Sequence, residues 1–190
     1  MVEQSKLNLG CGQFPKPGFV NVDVDPAARA DVHHDLNQTP YPFDDGQFVR
    51  IECDHVLEHL DNPMAAMREC HRLLATGGYL QVRVPHFTRG FTHWDHKRGF
   101  DVSFPLYFDP GFAGGYSGIP LVHIRTRLIW FGQAHLKRQV LSPLQFHLGR
   151  GLGTIFDLLG NLNLYATSRL FSFYVGGYDE VEFTFAKSSS

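Results

Sequence analysis

Apolar residues fall in two rhythms along this chain. In the first half, short apolar runs alternate with turn residues. "KLNLGCG" (Lys6–Gly12) stops at glycines and "FVNVDVDP" (Phe19–Pro26) stops at a proline. "DVHHDL" (Asp31–Leu36) is weaker, while "FVRIEC" (Phe48–Cys53) and "YLQVRVP" (Tyr79–Pro85) are more regular. Each reads as a strand, the last closed by a residue that cannot donate to a ladder. Between the fourth and fifth runs, Met64, Met67, Cys70, Leu73 and Leu74 form a helical stripe. Asn62 suits its cap, Pro63 its first turn and Thr76–Gly78 its end. Strand, helix, strand implies a parallel pair with a right-handed crossover, the α/β pattern.

The rhythm changes after Pro85. Residues 86–118 are rich in Gly, His and aromatics with little period, which suits a lid or binding loop. Val122–Trp130 alternates like an edge strand. Leu152, Ile155, Phe156 and Leu159 repeat at helical spacing, as do Leu170, Phe173 and Tyr174. Glu180–Lys187 reads as a closing strand with Val181, Phe183 and Phe185 facing inward. The expected architecture is one α/β domain over residues 1–190, a Rossmann-like open sheet. It is mostly parallel, with helices on both faces and an antiparallel closing strand. Residues 1–85 form its cofactor-binding half, 86–118 an acceptor or lid insertion, and 119–190 complete the sheet. The apolar stretch from Leu152 to Val175 reads most simply as cover for that sheet; the other reading is an exposed face for a lipid-linked substrate or a partner subunit. Ser188–Ser190 reads as a frayed end.

Composition narrows the class. The chain has 190 residues, 43% hydrophobic and 19% charged, a globular mix that excludes wholesale disorder. A net charge of −2 argues against coating nucleic acid. With no spanning apolar run and no signal-peptide pattern at the start, a cytoplasmic protein is expected. Cys11, Cys53 and Cys70 lack a C-x-x-C pair and fit reduced thiols. The expected partner is a small-molecule acceptor, free or lipid-linked, and the assembly a monomer or homodimer.

"HVLEHL" (His55–Leu60) contains H-x-x-E-H, the spacing of an inverted zinc metallopeptidase. That chemistry needs both histidines inside a helix, yet helix signals begin only at Asn62. The stretch is better read as the turn leaving the fourth strand. In an open parallel sheet, ligands sit beyond the carboxyl ends of the strands. The first strand ends in Gly10-Cys11-Gly12, where backbone N–H groups can approach a polar ligand. The second ends at Asp23, able to accept both hydroxyls of a ribose. The third ends at Asp35-Leu36, a carboxylate and an apolar side chain for an adenine edge and face. Together these describe an adenosine site. NAD is disfavoured, because Pro15 stands where the third glycine of G-x-G-x-x-G would be.

These motifs resemble the class I S-adenosylmethionine-dependent methyltransferases, and most closely a small bacterial group. That group opens "LNLGCG" and carries "NVD", "HDL" and "HVLEHL", here Leu7–Gly12, Asn21–Asp23, His34–Leu36 and His55–Leu60. The likeness runs from Lys6 to Pro85, with a second patch at Thr92–Phe108 in which His96, Lys97 and Arg98 match. It implies methyl transfer from S-adenosylmethionine. The cofactor-side set is then Leu9, Gly10, Cys11, Gly12, Asp23, Val24, Asp35, Leu36, Cys53 and His55. Members of the group are often associated with building cell-surface polysaccharide. Asn8 stands where many relatives have an acidic residue, and Phe14 where they have a third glycine. Gln13–Gly18 is too short for the usual crossover helix, so either that helix is reduced to a turn or the strand limits differ.

Methyl transfer is an in-line displacement, so the enzyme aligns the acceptor and removes a proton where one must leave. His96, in the matched patch, leads as that base, followed by His86 and His93. Arg89, Lys97 and Arg98 could meet an acidic acceptor. His86, His93, Asp95 and His96 are not a recognised metal-ligand set, and no metal is assigned. The competing readings are an inactive nucleotide-binding module, a zinc peptidase and an NAD-linked oxidoreductase.

Overall fold

Seven strands form one sheet in the order β3-β2-β1-β4-β5-β7-β6 in this computed structural model, which describes residues 5–188. They are β1 Ser5–Leu9, β2 Val20–Asp23, β3 Val32–His33, β4 Phe48–Asp54, β5 Leu74–Pro85, β6 Leu121–Ile129 and β7 Glu180–Lys187. The first five run parallel to their neighbours, and β7 is the antiparallel closing strand. This is the expected α/β sheet. β6 occupies an edge, as its alternation suggests. Ser189 and Ser190, expected to fray, lie outside the described residues.

The chain divides into two compact units. One comprises Met1–Arg83, Pro105–Arg125 and Phe183–Ser190; the other comprises Val84–Phe104 and Thr126–Glu182. In the first, central strands are buried on both faces and read as nearly continuous apolar runs. Leu7, Leu9, Phe48, Ile51, Cys53, Leu80, Val82, Phe183 and Phe185 are all buried. Helix α1 (Pro63–Leu73) adds Met67, Cys70 and Leu73 to that core. Its cap is as expected: the Asn62 side chain accepts the Ala65 N–H at 3.1 Å, and Pro63 opens the helix.

Its end is not as expected. The helix stops at Leu73 and β5 begins at once, five residues before Tyr79. Phe48 pairs with Leu74 and Arg50 with Tyr79, so residues 75–78 bulge from the ladder. Gly77, with φ +74°, serves that bulge rather than a helix cap. The third strand is also shorter than read, only Val32–His33.

The second unit carries helices α2 (Ala134–Val140), α3 (Pro143–Gly160), α4 (Leu164–Ala166) and α5 (Ser172–Tyr174), with a π-helical turn at Thr167–Phe171. Ser142 and Gln145 form a reciprocal capping box at the start of α3, with Pro143 in its first turn. The face that α3 buries combines Phe146, which meets Phe131, with Gly153 and Gly160. A Cβ at Gly153 would stand 2.7 Å from the Phe131 Cβ, and one at Gly160 would stand 2.0 Å from the Tyr178 hydroxyl. Most of the stripe read as sheet cover points the other way: Leu152, Ile155 and Leu159 are exposed, while Phe156 is half-buried against Trp130 and Phe171. So are Leu170, Phe173 and Tyr174, while Thr167, Ser168 and Ser172 lie inside.

Candidate functional site

In the first unit, strand register dictates which chain ends meet. Leu9 pairs with Val22 on one side and Cys53 on the other, and Asp23 pairs with His33. The cofactor-side residues read from the sequence all lie in this unit, at the ends of β1–β4 or in the turns that leave them. Gly10 (φ +68°) and Gly12 (φ +48°) turn the chain after β1, helped by Gly10 and Cys11 N–H groups donating to the Val22 carbonyl at 2.8 and 3.0 Å. At Gly10 a side chain is barred by the fold itself, since its Cβ would stand 2.2 Å from Val56 Cγ2. At Gly12 a Cβ would meet nothing within 4 Å, so the space over that residue is open.

Asp23 ties the loop to β2. Its Oδ2 accepts the Gly12 N–H at 2.7 Å and its Oδ1 accepts the Asp25 N–H at 2.9 Å. A carboxylate has about four acceptor positions, so each oxygen retains capacity for a hydroxyl donor. Val24 beside it is 62% exposed. Asp35 accepts the Asn37 N–H at 2.9 Å in a local turn, and the buried Leu36 gives its carbonyl to the Tyr41 hydroxyl at 2.9 Å. Cys11 and Cys53 are buried, and burial, with nearby Asp23 for Cys11 and Cys70 for Cys53, pushes both thiols up. They are neutral packing groups, not nucleophiles.

His55–Leu60 is a turn and not a helix, which removes the geometry a zinc peptidase requires. His55 sits at φ +55°, donates its N–H to the Arg83 carbonyl at 2.8 Å, and places Nδ1 3.2 Å from Glu58. The β1–β2 connection is likewise a turn, with no helix between Leu9 and Val20, so no helix N-terminus receives a pyrophosphate there.

What replaces that crossover helix escapes sequence reading. Lys16 reaches Glu52 at 2.5 Å and Asp54 at 2.7 Å, pinning the loop to β4. Burial alone would push its ammonium down, but the two carboxylates outweigh it and hold the pKa above the usual lysine value. Beneath, the Asn8 side chain donates to Asn21 at 2.9 Å, and Asn21 donates its N–H to Asp31 at 2.7 Å. A lysine between two prolines in a connection too short for a helix was the available signal. One buried atom in this arc, Asp54 Oδ1, has no hydrogen-bond partner. Open space over Gly12 and an anchored carboxylate at Asp23 fit a ligand with hydroxyl donors, such as an adenosine.

The histidines read as the acceptor side lie in the second unit. His86 is fully buried. Its Nε2 donates to the Ser168 hydroxyl (2.8 Å), which donates to Asp101 (2.7 Å), and its Nδ1 is 2.7 Å from the Thr88 hydroxyl. Burial outweighs Asp101 and pushes its pKa down to about 4. The serine stands between histidine and aspartate, unlike a nucleophilic triad in which histidine is central. This is the setting of a structural histidine. His96 is half-buried and donates from Nδ1 to the Gly90 carbonyl at 2.5 Å, which makes Nε2 its basic nitrogen. The exposed His93 stacks on His96 with ring centres 4.9 Å apart. Arg89 is not available to an acceptor: it binds Asp179 and the Gly176 carbonyl and lies over Trp130.

The methyltransferase-domain family model matches residues 15–82 of this chain. No curated relative matches the sequence. Among solved structures, an S-adenosylmethionine-dependent methyltransferase from Archaeoglobus fulgidus superposes with TM-score 0.59 at 13% identity, covering 97% of this chain and 86% of its own. One from Mesorhizobium loti gives 0.56 at 11% identity, covering 96% and 90%. The cyclase SpnF gives 0.54 at 14% identity, covering 100% and 78%. At these identities the superpositions speak for the fold. The chain thus carries a methyltransferase-domain sequence match from the β1–β2 loop to β5, within a fold that is similar to those of solved S-adenosylmethionine-dependent methyltransferases.

Proposed function

We propose that this enzyme methylates a small-molecule acceptor, a sugar unit of cell-surface polysaccharide synthesis, in the cytoplasm. The acceptor class rests on the "LNLGCG…NVD…HDL…HVLEHL" resemblance, and the compartment on three buried free thiols. One observation carries the cofactor side: the Gly12 N–H and the Asp23 carboxylate are bonded to each other across adjacent strand ends, beside open space. Bound there, S-adenosylmethionine supplies an electrophilic methyl group on a sulfonium. Asp23 accepts the ribose hydroxyls, its orientation set beforehand by Gly12 and Asp25. The Gly10–Gly12 turn lets backbone approach the amino-acid portion, Asp35 and Leu36 meet the adenine, and Leu9, Cys11, Val24, Cys53 and His55 shape the walls. His96 takes the acceptor's proton through Nε2, and His93 stacks against it. His86 holds the loop that carries them.

Calorimetry with S-adenosylmethionine and S-adenosylhomocysteine tests the cofactor side, and both should bind. Binding of neither would overturn the reading. For the base, His96→Ala should leave S-adenosylhomocysteine affinity intact and lower turnover on the acceptor by roughly 10²–10⁴-fold. Unchanged turnover would mean that the acceptor loses its proton unaided.

A further inference from the structure

The helices of the second unit carry a stripe of large apolar residues outward. At 3.6 residues per turn, Leu144, Leu148, Leu152, Ile155 and Leu159 fall within an arc of about 80° on α3. They are 71, 58, 47, 53 and 50% exposed. The opposite arc, with Gly149, Gly153, Gly160 and the buried Phe146, packs on Phe131 and Tyr178. The following segment repeats the inversion, with Tyr165, Leu170, Phe173 and Tyr174 exposed and Thr167, Ser168 and Ser172 buried. A helix facing water normally shows the reverse order. A glycine-rich contact face with large apolar side chains left outward is the order of helices that face lipid. No helix among the described residues is long and apolar enough to cross a membrane, and α3 spans about 27 Å, so the fit is to lying in the plane of an interface.

Charge selects the kind of surface. Within Thr126–Glu182 the exposed charged side chains are Arg138, Arg150 and Arg169, the last paired with Asp101. The acidic residues of that stretch are withdrawn: Asp157 is half-buried on the Trp130 N–H, Asp179 is held by Arg89 and Lys137, and Glu180 and Glu182 are buried. This cationic rim belongs to a chain whose net charge is −2. Apolar side chains flanked by arginine and tyrosine are the composition of a helix seated at an anionic bilayer.

We infer that α3 and the helical turns after it dock the enzyme on an anionic membrane surface. The inference does not depend on which acceptor is methylated. Sedimentation of the full chain with phosphatidylcholine vesicles, with and without about one third phosphatidylglycerol, tests it. Wild-type protein should sediment with the anionic vesicles and stay in solution with pure phosphatidylcholine. The double variant Leu148→Glu, Ile155→Glu should partition at least about tenfold more weakly, since it places charge in the apolar stripe. Because both side chains are half-exposed or more, its thermal unfolding should match wild type. Arg138→Glu and Arg150→Glu should each weaken binding by about fivefold or more and flatten its salt dependence. No sedimentation with anionic vesicles, or unaltered partition of the double variant, would overturn the inference. So would light scattering that finds wild type dimeric and the double variant monomeric, because the stripe would then be an interface between copies.

Discussion

Asp23 holds the Gly12 and Asp25 N–H groups, and the proposed cofactor site adds a ribose contact that its substitution should reveal. Asp23→Ala removes a charged acceptor for ribose, and such bonds contribute about 1.5–3 kcal/mol. Affinity for S-adenosylhomocysteine should fall roughly ten- to a hundredfold by calorimetry. It also frees the Gly12 and Asp25 N–H groups, so a modest loss of thermal stability should accompany it. The glycines separate the two effects better. Gly10→Val drives a side chain into Val56 and should unfold much of the protein whatever binds. Gly12→Ala adds a methyl where the protein has no atom within 4 Å, at a strain of about 1–2 kcal/mol for positive φ. If that space is for the cofactor, affinity falls by more than strain alone explains; unchanged affinity would move the ligand elsewhere. His86 provides a pH signature. Its pKa is about 4 in the fold against an ordinary 6.5, so the unfolded chain binds the proton more readily. The stability it confers is complete above 6.5 and is lost as pH falls toward 4. Between pH 7 and pH 5 the wild type should lose about 2 kcal/mol through this group, and His86→Gln should lose correspondingly less in urea titrations. Glycine and aspartate at strand ends were legible because their chemistry is local. The inward turn of His86 was not, because its partners Ser168 and Asp101 are remote in sequence.

At the scale of elements, the β1–β2 loop shows how an ion pair can stand in for a helix. Lys16→Met leaves Glu52 and Asp54 with fewer cationic partners near a strand end. Discounted for the partial exposure of Lys16, stability should drop on the order of 1–2 kcal/mol in urea unfolding. The loop that presents Gly12 loosens with it, so S-adenosylhomocysteine affinity should fall too. A variant with wild-type stability and affinity would show the pair to be idle. Helix α1 was readable to its first residue because Asn62 and Pro63 act within one turn. Its end was misread because Gly77 and Gly78 signal a break without saying which kind, and here they make a bulge. In α3 the period was readable and the direction was not. An apolar stripe says that one face differs from the other, and the decisive residues were Gly149, Gly153 and Gly160, which let that face approach Phe131 and Tyr178.

For the whole molecule, the parallel run of strands was legible because each strand is bounded by its own turn residues. The place of β7 between β5 and β6 was beyond reach, since nothing local states where a last strand inserts. That insertion bears on how the chain is made. β6 cannot join the sheet directly, because the position next to β5 is reserved for residues 180–187. During synthesis β5 and β6 therefore each keep a strand edge unsatisfied until nearly the whole described chain has emerged, and such edges recruit other chains. A chain stopped after Gly177 should accumulate as insoluble material, whereas supplying residues 178–190 as a separate peptide during refolding should recover soluble protein. The closing strand thus acts as a late checkpoint in biosynthesis, at which an interrupted chain is left open to aggregation.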